Sequence, residues 1–330
     1  MVASGGAREA FAMGYARSLL IDSSGPGTYH CVSRCVRRAF LCGEDAFSGR
    51  NFDHRKQWIE DRLLELAEVF AASVLAYAVM SNHVHVVVRV DPALSVAWGD
   101  EEIATRWVRL FPATVNGQVD PEGCRRKVQR VLANPDRLVE LRQRLGDLSW
   151  FMRCLSEPIA RRANGEDCCT GRFWEGRFKC QALLDDAAVL GCMTYVDLNP
   201  VRAGAAPDLR TSHHTSIQRR LQSRSPDHSS SIEPVAGPAM IGFLPMTEEA
   251  YIRLVDWTGR QLHPAKRGVI AAEAPPPLPR GLDEKTWKRQ VRGIESRYFR
   301  AIGSAESLRD KARAIGQRWL MVRRQEVLPT

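Results

Sequence analysis

The segment 77–90 constrains this chain more than any other. It reads Tyr-Ala-Val-Met-Ser-Asn-His-Val-His-Val-Val-Val-Arg-Val, so Val79, Val84, Val86, Val87, Val88 and Val90 surround two histidines spaced i, i+2. β-Branched residues at this density favour a strand. Successive side chains of a strand point to opposite faces, so His83 and His85 project side by side from one surface of a sheet. Two imidazoles at that spacing can hold one divalent cation, each through one ring nitrogen. The plainer alternative is a pair of polar residues on the half-exposed face of an antiparallel strand. Spacing alone leaves both open.

The flanking segments place this strand in a layer. Residues 1–27 read as a loosely ordered lead-in closed by the breaker Ser23-Ser24-Gly25-Pro26-Gly27. A first strand is predicted over 28–34, with a partner over 36–42. Asn51 or Asp53 then caps a helix in which Trp58, Ile59, Leu63, Leu66, Val69 and Phe70 recur at helical spacing. A strand over 74–80 precedes the His-x-His strand, which Asp91-Pro92 stops. This order predicts an α+β fold, with helices packed on one face of an antiparallel sheet.

Residues 93–148 read as three helices (101–110, 122–133, 135–145) with sparse apolar residues and dense charge, hence a solvent-facing helical insertion. A stronger helix spans 148–164. A short strand over 179–184 and a helix capped by Asp185 follow. That helix ends near Asn199, because the residue before Pro200 avoids the α region. Beyond 205 the chain becomes a basic helical C-terminal extension, with a Ser-rich stretch (223–231), a Pro-rich linker (273–281), and helices over 247–262, 283–302 and 305–325. His213 and His214 read as solvent-facing loop residues.

Charge and cysteine content narrow the class of function. The 330 residues carry a formal net charge of +9, which fits a polyanion partner, and the arginines cluster at 34–38, 125–130, 172–179, 219–224 and 285–324. Within 170–179, Thr-Gly-Arg-Phe-Trp-Glu-Gly-Arg-Phe-Lys interleaves aromatics with cations, a pattern suited to stacking on bases and pairing with phosphates; an aromatic anchor beneath a basic loop is the alternative. Arg34, Arg172, Phe173, Trp174, Arg177 and Lys179 are the candidate DNA contacts. Nine cysteines without a Cys-x-x-Cys pair point to reduced thiols rather than a structural zinc site. No run approaches the ~18 apolar residues of a membrane span, and Met1 to Ala16 lacks a signal-peptide core, so a cytoplasmic protein with no membrane partner is expected.

Tyr195 and Asn199, spaced i, i+4, share a helix face. A tyrosine hydroxyl can attack a phosphodiester, leaving a covalent phosphotyrosine and a free 3′-hydroxyl. Because tyrosine is a weak nucleophile near neutral pH, a metal must polarise the phosphate. Two histidines and one oxygen donor make a three-point site, and an asparagine one turn beyond the nucleophile can supply that oxygen.

Ser81-Asn82-His83-Val84-His85, the Arg172-Phe173-Trp174-x-x-Arg177-Phe178 segment and Tyr195-x-x-x-Asn199-Pro200-Val201-Arg202-Ala203-Gly204 together resemble the single-tyrosine HUH transposases of bacterial insertion sequences, in particular the REP-associated tyrosine transposases. The resemblance covers about residues 28–205. It implies a ferredoxin-like catalytic domain that cuts and rejoins single-stranded DNA, usually near a hairpin. It also implies His83, His85 and Asn199 as ligands of Mg2+ or Mn2+ and Tyr195 as the nucleophile. Val84 matches the hydrophobic residue between the histidines. Minimal members of the family often donate the tyrosine helix to a partner subunit, so both a monomer and a homodimer are consistent with the motifs. Two other readings compete: a DNA- or RNA-binding relative that no longer turns over, and a metallohydrolase using His83 and His85 with a water nucleophile.

Overall fold

The computed structural model describes residues 20–22, 25–36, 42–44, 49–223, 232–239, 243–244, 246–262, 278, 282–294, 300–317 and 320. The segment predicted as a strand over 36–42, most of the lead-in, and most of the Ser-rich and Pro-rich stretches lie outside them.

The strands are β1 (Gly27–Arg34), β2 (Ala72–Val79), β3 (His83–Val90), β4 (Thr114–Val115), β5 (Gln118–Val119), β6 (Lys179–Leu183) and β7 (Ala301–Ile302). The helices are α1 (His54–Val69), α2 (Pro92–Ala97), α3 (Asp100–Leu110), α4 (Pro121–Leu132), α5 (Pro135–Leu145), α6 (Leu148–Glu166), α7 (Asp186–Asp197), α8 (Asn199–Arg202), α9 (Ser216–Gln222), α10 (Glu248–Leu262), α11 (Glu284–Gly293) and α12 (Ala305–Ala314). One five-stranded sheet runs in the order β2-β3-β1-β6-β7, antiparallel except for the β6–β7 pair. The fold is α+β.

Register assigns each face. Cys31 lies opposite Val86 and Cys180, and Tyr29 opposite Val88 and Ala182. These residues, with Val84 and Val90, meet Ile59, Leu63 and Leu66 of α1 and Phe151 and Leu155 of α6 in one core. The other face carries Val87, Ala76, Ala78 and Leu183 and packs on Val189, Met193 and Val196 of α7, Tyr251 and Val255 of α10, and Trp287 of α11. Helices therefore cover both faces, where one covered face was predicted. The reason is visible in β2, Ala-Ser-Val-Leu-Ala-Tyr-Ala-Val, all eight residues of which are buried. A strand with no polar face has none to turn to water.

The predicted solvent-facing insertion also differs from what is observed. Its helices occur where expected, but Ile103, Trp107 and Leu110 of α3 and Leu138, Leu141 and Leu145 of α5 join the first core. Most of the larger apolar residues lie on inner faces, Val96, Val115, Val119 and Val139 being exposed, and arginine stems cover the aromatics: Arg106 lies 3.9 Å from the Trp98 ring centroid and Arg144 4.0 Å from that of Trp150. Asn116 (φ 52°) and Gly117 (φ 80°) turn the chain between β4 and β5, as an Asn-Gly hairpin requires.

Beyond residue 205 the chain completes the second core. The helix predicted over 283–302 stops at Gly293, and Ala301–Ile302 instead pairs in parallel with β6, Ala182 N donating to Arg300 O and Leu184 N to Ile302 O. These bonds use donors that β6 would otherwise leave open on its outer side. His214 sits in the left-handed region (φ 57°) and bonds Glu60 at 2.7 Å rather than facing solvent. Among the described residues no helix is long and apolar enough to cross a membrane, and no disulfide joins the nine cysteines.

Candidate metal and nucleophile site

The site forms where β3, β1 and α7 meet. Strand alternation puts His83, His85, Val87 and Arg89 on the face covered by α7. Register adds Thr28, His30, Val32 and Arg34 from β1, with His30 opposite Val87 and Gln181 and Arg34 opposite His83. Asp185 caps α7 by accepting from Ala188 N at 2.8 Å, which fixes where the helix begins and so which side chains it turns toward the sheet.

Tyr195 is one of them. Its ring is edge-on to His85, with centroids 5.7 Å apart, and to His30 at 6.1 Å. The His83 and His85 rings are 4.7 Å apart at 80°. The His-x-His strand and the tyrosine helix, separated by more than a hundred residues, thus meet within one chain. Tyr195 is 3% exposed, and the Arg202 guanidinium lies 4.7 Å from its ring centroid.

Asn199 opens the α8 turn and is buried. α7 ends at Asp197 with Leu198 as its cap, close to the predicted end near Asn199. Pro200 takes the second position of a new helical turn, where its missing N–H costs nothing.

Both histidines are engaged through Nδ1. His83 Nδ1 bonds Asn82 Oδ1 at 2.5 Å, and His85 Nδ1 bonds His30 Nε2 at 2.9 Å. Burial, reinforced by His30, His83, Arg202 and Arg34, holds the His85 imidazole well below its ordinary value. Burial likewise lowers His30 to about 4, against a raising hydrogen bond to Gln181. The His85 ring is therefore neutral at pH 7, and its buried Nε2 has no hydrogen-bond partner among the described residues. A buried nitrogen lone pair without a donor is costly unless something fills it, so these residues fit a divalent cation. Among the described residues no cluster of three or more His, Cys, Asp or Glu is arranged to hold a metal.

The candidate DNA contacts divide. Arg34, Arg172, Arg177 and Lys179 are exposed, and Lys179 lies opposite Val32 at the histidine end of the sheet. Phe173 is buried in the first core, and Trp174 donates Nε1–H to Ser156 O at 2.8 Å while packing edge-on to Phe173. The Phe173 ring is turned into the core, the Trp174 ring is half-buried beside it, and the cations around them are exposed.

His30 and Gln181 escaped the sequence reading. The Tyr29-His30 pair sits in the predicted first strand, and alternation from Arg34 would have placed His30 on the Arg34 face. Only the β1–β3 and β1–β6 registers bring it against His85.

No protein-family model and no curated protein matches this chain. A solved structure of a REP-associated tyrosine transposase bound to a REP hairpin is similar to it at 13% identity, over 70% of this chain and 100% of that one, with a TM-score of 0.33. At that score the two folds do not superpose closely enough for one to stand for the other.

Proposed function

We propose that this chain cuts and rejoins single-stranded DNA at or near a hairpin, through a 5′-phosphotyrosine. The observation that carries the reading is the packing of Tyr195 against His85, within a chain bearing the ordered motifs of the single-tyrosine HUH transposases. Tyr195 Oη attacks the phosphorus, the bond to the 3′-oxygen breaks, and the 3′-hydroxyl leaves with a proton. The 5′-phosphate stays on the tyrosine until a 3′-hydroxyl reverses the step. A divalent ion such as Mg2+ or Mn2+, if held there, would supply polarisation of the scissile phosphate. His83 and His85 would hold it through Nε2, with Asn199 as the oxygen donor. Arg34 and Lys179, exposed at the same end of the sheet, suit the flanking phosphates, and the basic surface predicts steep salt dependence of binding.

The test is to incubate the full chain with labelled hairpin DNA and Mg2+ and look for an adduct that survives denaturation. The wild type should form one and Tyr195→Phe should not. An adduct that persists in Tyr195→Phe removes the tyrosine from the chemistry. Cleavage with no adduct points to a water nucleophile, and binding alone to a relative that does not turn over.

A further inference from the structure

We propose that the backbone carbonyl of Ile294, at the end of α11, sets which nitrogen of His85 carries its proton. Gln181 and His30 act as positioning residues in between. The chain of contacts has a direction. Gln181 Nε2 lies 3.3 Å from Ile294 O, and a carbonyl oxygen can only accept. The amide nitrogen must therefore face Ile294, which turns Oε1 toward His30 Nδ1 at 2.8 Å. An amide oxygen also only accepts, so His30 Nδ1 carries the hydrogen and its Nε2 is a lone pair. That lone pair lies 2.9 Å from His85 Nδ1, which must then be the donor. His85 is left with an unprotonated Nε2, the atom with no hydrogen-bond partner among the described residues.

The reverse polarity fails at its first link. If His85 Nδ1 were the acceptor, His30 would donate through Nε2 and accept at Nδ1. Gln181 would then have to flip and turn its oxygen onto the Ile294 carbonyl, setting two acceptors against each other. His30 and Ile294 are almost fully buried and Gln181 is half-buried. The stacking of the His30 and His85 rings, 5.1 Å apart at 11°, holds the two nitrogens in line.

A ligating histidine whose second ring nitrogen donates to a fixed acceptor is oriented and made more basic, and loss of such a partner weakens metal binding by about 10–100-fold. Here the acceptor is another histidine, and the end of the relay is main chain from residue 294, far outside the 28–205 region that carries the motifs. The consequence for metal affinity rests on the proposed function; the proton position does not.

The experiment uses the full chain labelled with 15N-histidine, freed of metal by chelation, with long-range 1H–15N spectra recorded near pH 7. His85 is assigned by its loss in His85→Ala. The expected result is His85 as the Nδ1–H tautomer in the wild type. Gln181→Leu should shift it toward Nε2–H, while Gln181→Glu, which keeps an acceptor, should preserve it. Calorimetric titration with Mn2+ should show about 10–100-fold weaker binding for Gln181→Leu and smaller loss for Gln181→Glu. An Nε2–H tautomer in the wild type overturns the relay, as does an unchanged tautomer in a folded Gln181→Leu. The expected tautomer in a wild type that binds no Mn2+ leaves the relay standing and removes the metal from the proposed function.

Discussion

Tyr251 Oη donates a 2.5 Å hydrogen bond to Asp197, two residues beyond Tyr195, and so ties α10 to the helix that carries the candidate nucleophile. Ser216 Oγ also donates to Asp197, as does Ile217 N at 3.0 Å. Burial nevertheless dominates and raises this carboxyl from 3.8 to about 6. The folded state then binds its proton more tightly than the unfolded chain. Its stabilising contribution is complete below pH ~4 and is lost as pH rises to ~6, by about 3 kcal/mol at ~1.4 kcal/mol per unit. Melts of wild type and Asp197→Asn in metal-free buffer should show the wild type losing ground to the variant across that window. A stability difference constant from pH 4 to 7 would contradict this.

Arg55, fully buried at the start of α1, pairs with Glu166 (2.8 Å) and Asp167 (2.5 Å) at the end of α6, and its guanidinium lies over Phe52 at 4.0 Å. Arg55→Met removes the guanidinium that both carboxylates share, leaving Glu166 with His54 at 2.8 Å. The expected loss is about 3 kcal/mol, read by urea denaturation. A loss under ~1 kcal/mol would mean that water replaces the guanidinium at little cost.

Gly237 has φ +99°, and a Cβ there would lie 2.4 Å from Ala72 O and 2.9 Å from Ser73 Cα. Both contacts are backbone, so nothing flexible can give way. Gly237→Ala should cost on the order of 3 kcal/mol in unfolding free energy, from strain and overpacking together. Wild-type stability in this variant would show that the 232–239 segment is not held against β2.

Removing one imidazole tests the histidine pair apart from the tyrosine. His83→Ala is expected to abolish hairpin cleavage while leaving hairpin affinity within about two-fold, because binding rests on phosphate contacts. Excess chelator should do the same to the wild type. Cleavage that survives both treatments would take the histidines out of the chemistry.

The parts of the site that local rules govern were legible. Alternation put His83 and His85 on one face, Asp185 marked the start of α7, and helical spacing placed Tyr195 on that helix. What depends on pairing was not. Nothing near His30 indicates that it lies opposite Val87, and nothing near Gln181 indicates that it completes the row. Coverage of both faces had a signal, the unbroken apolar run of β2, which length and composition alone could assign equally to a one-sided strand. Pro200 marked the end of α7 near Asn199, and the short α8 turn that it also opens was not foreseen, because a proline ends one helix and opens another equally well.

The outer rim of β2 shows what the residues beyond 205 contribute. Val74 exchanges hydrogen bonds with Ala236 and Val235, Val79 N donates to His214 O, and Ser216 Oγ takes Tyr77 N. Passing chain thus occupies main-chain groups that an extended segment from another molecule would need in order to dock. The apolar strand least able to face water is also the one shielded from templating. Cutting the chain after residue 205 would leave that rim bare, so aggregation, rather than loss of any catalytic group, is the first fate to expect of the shortened protein.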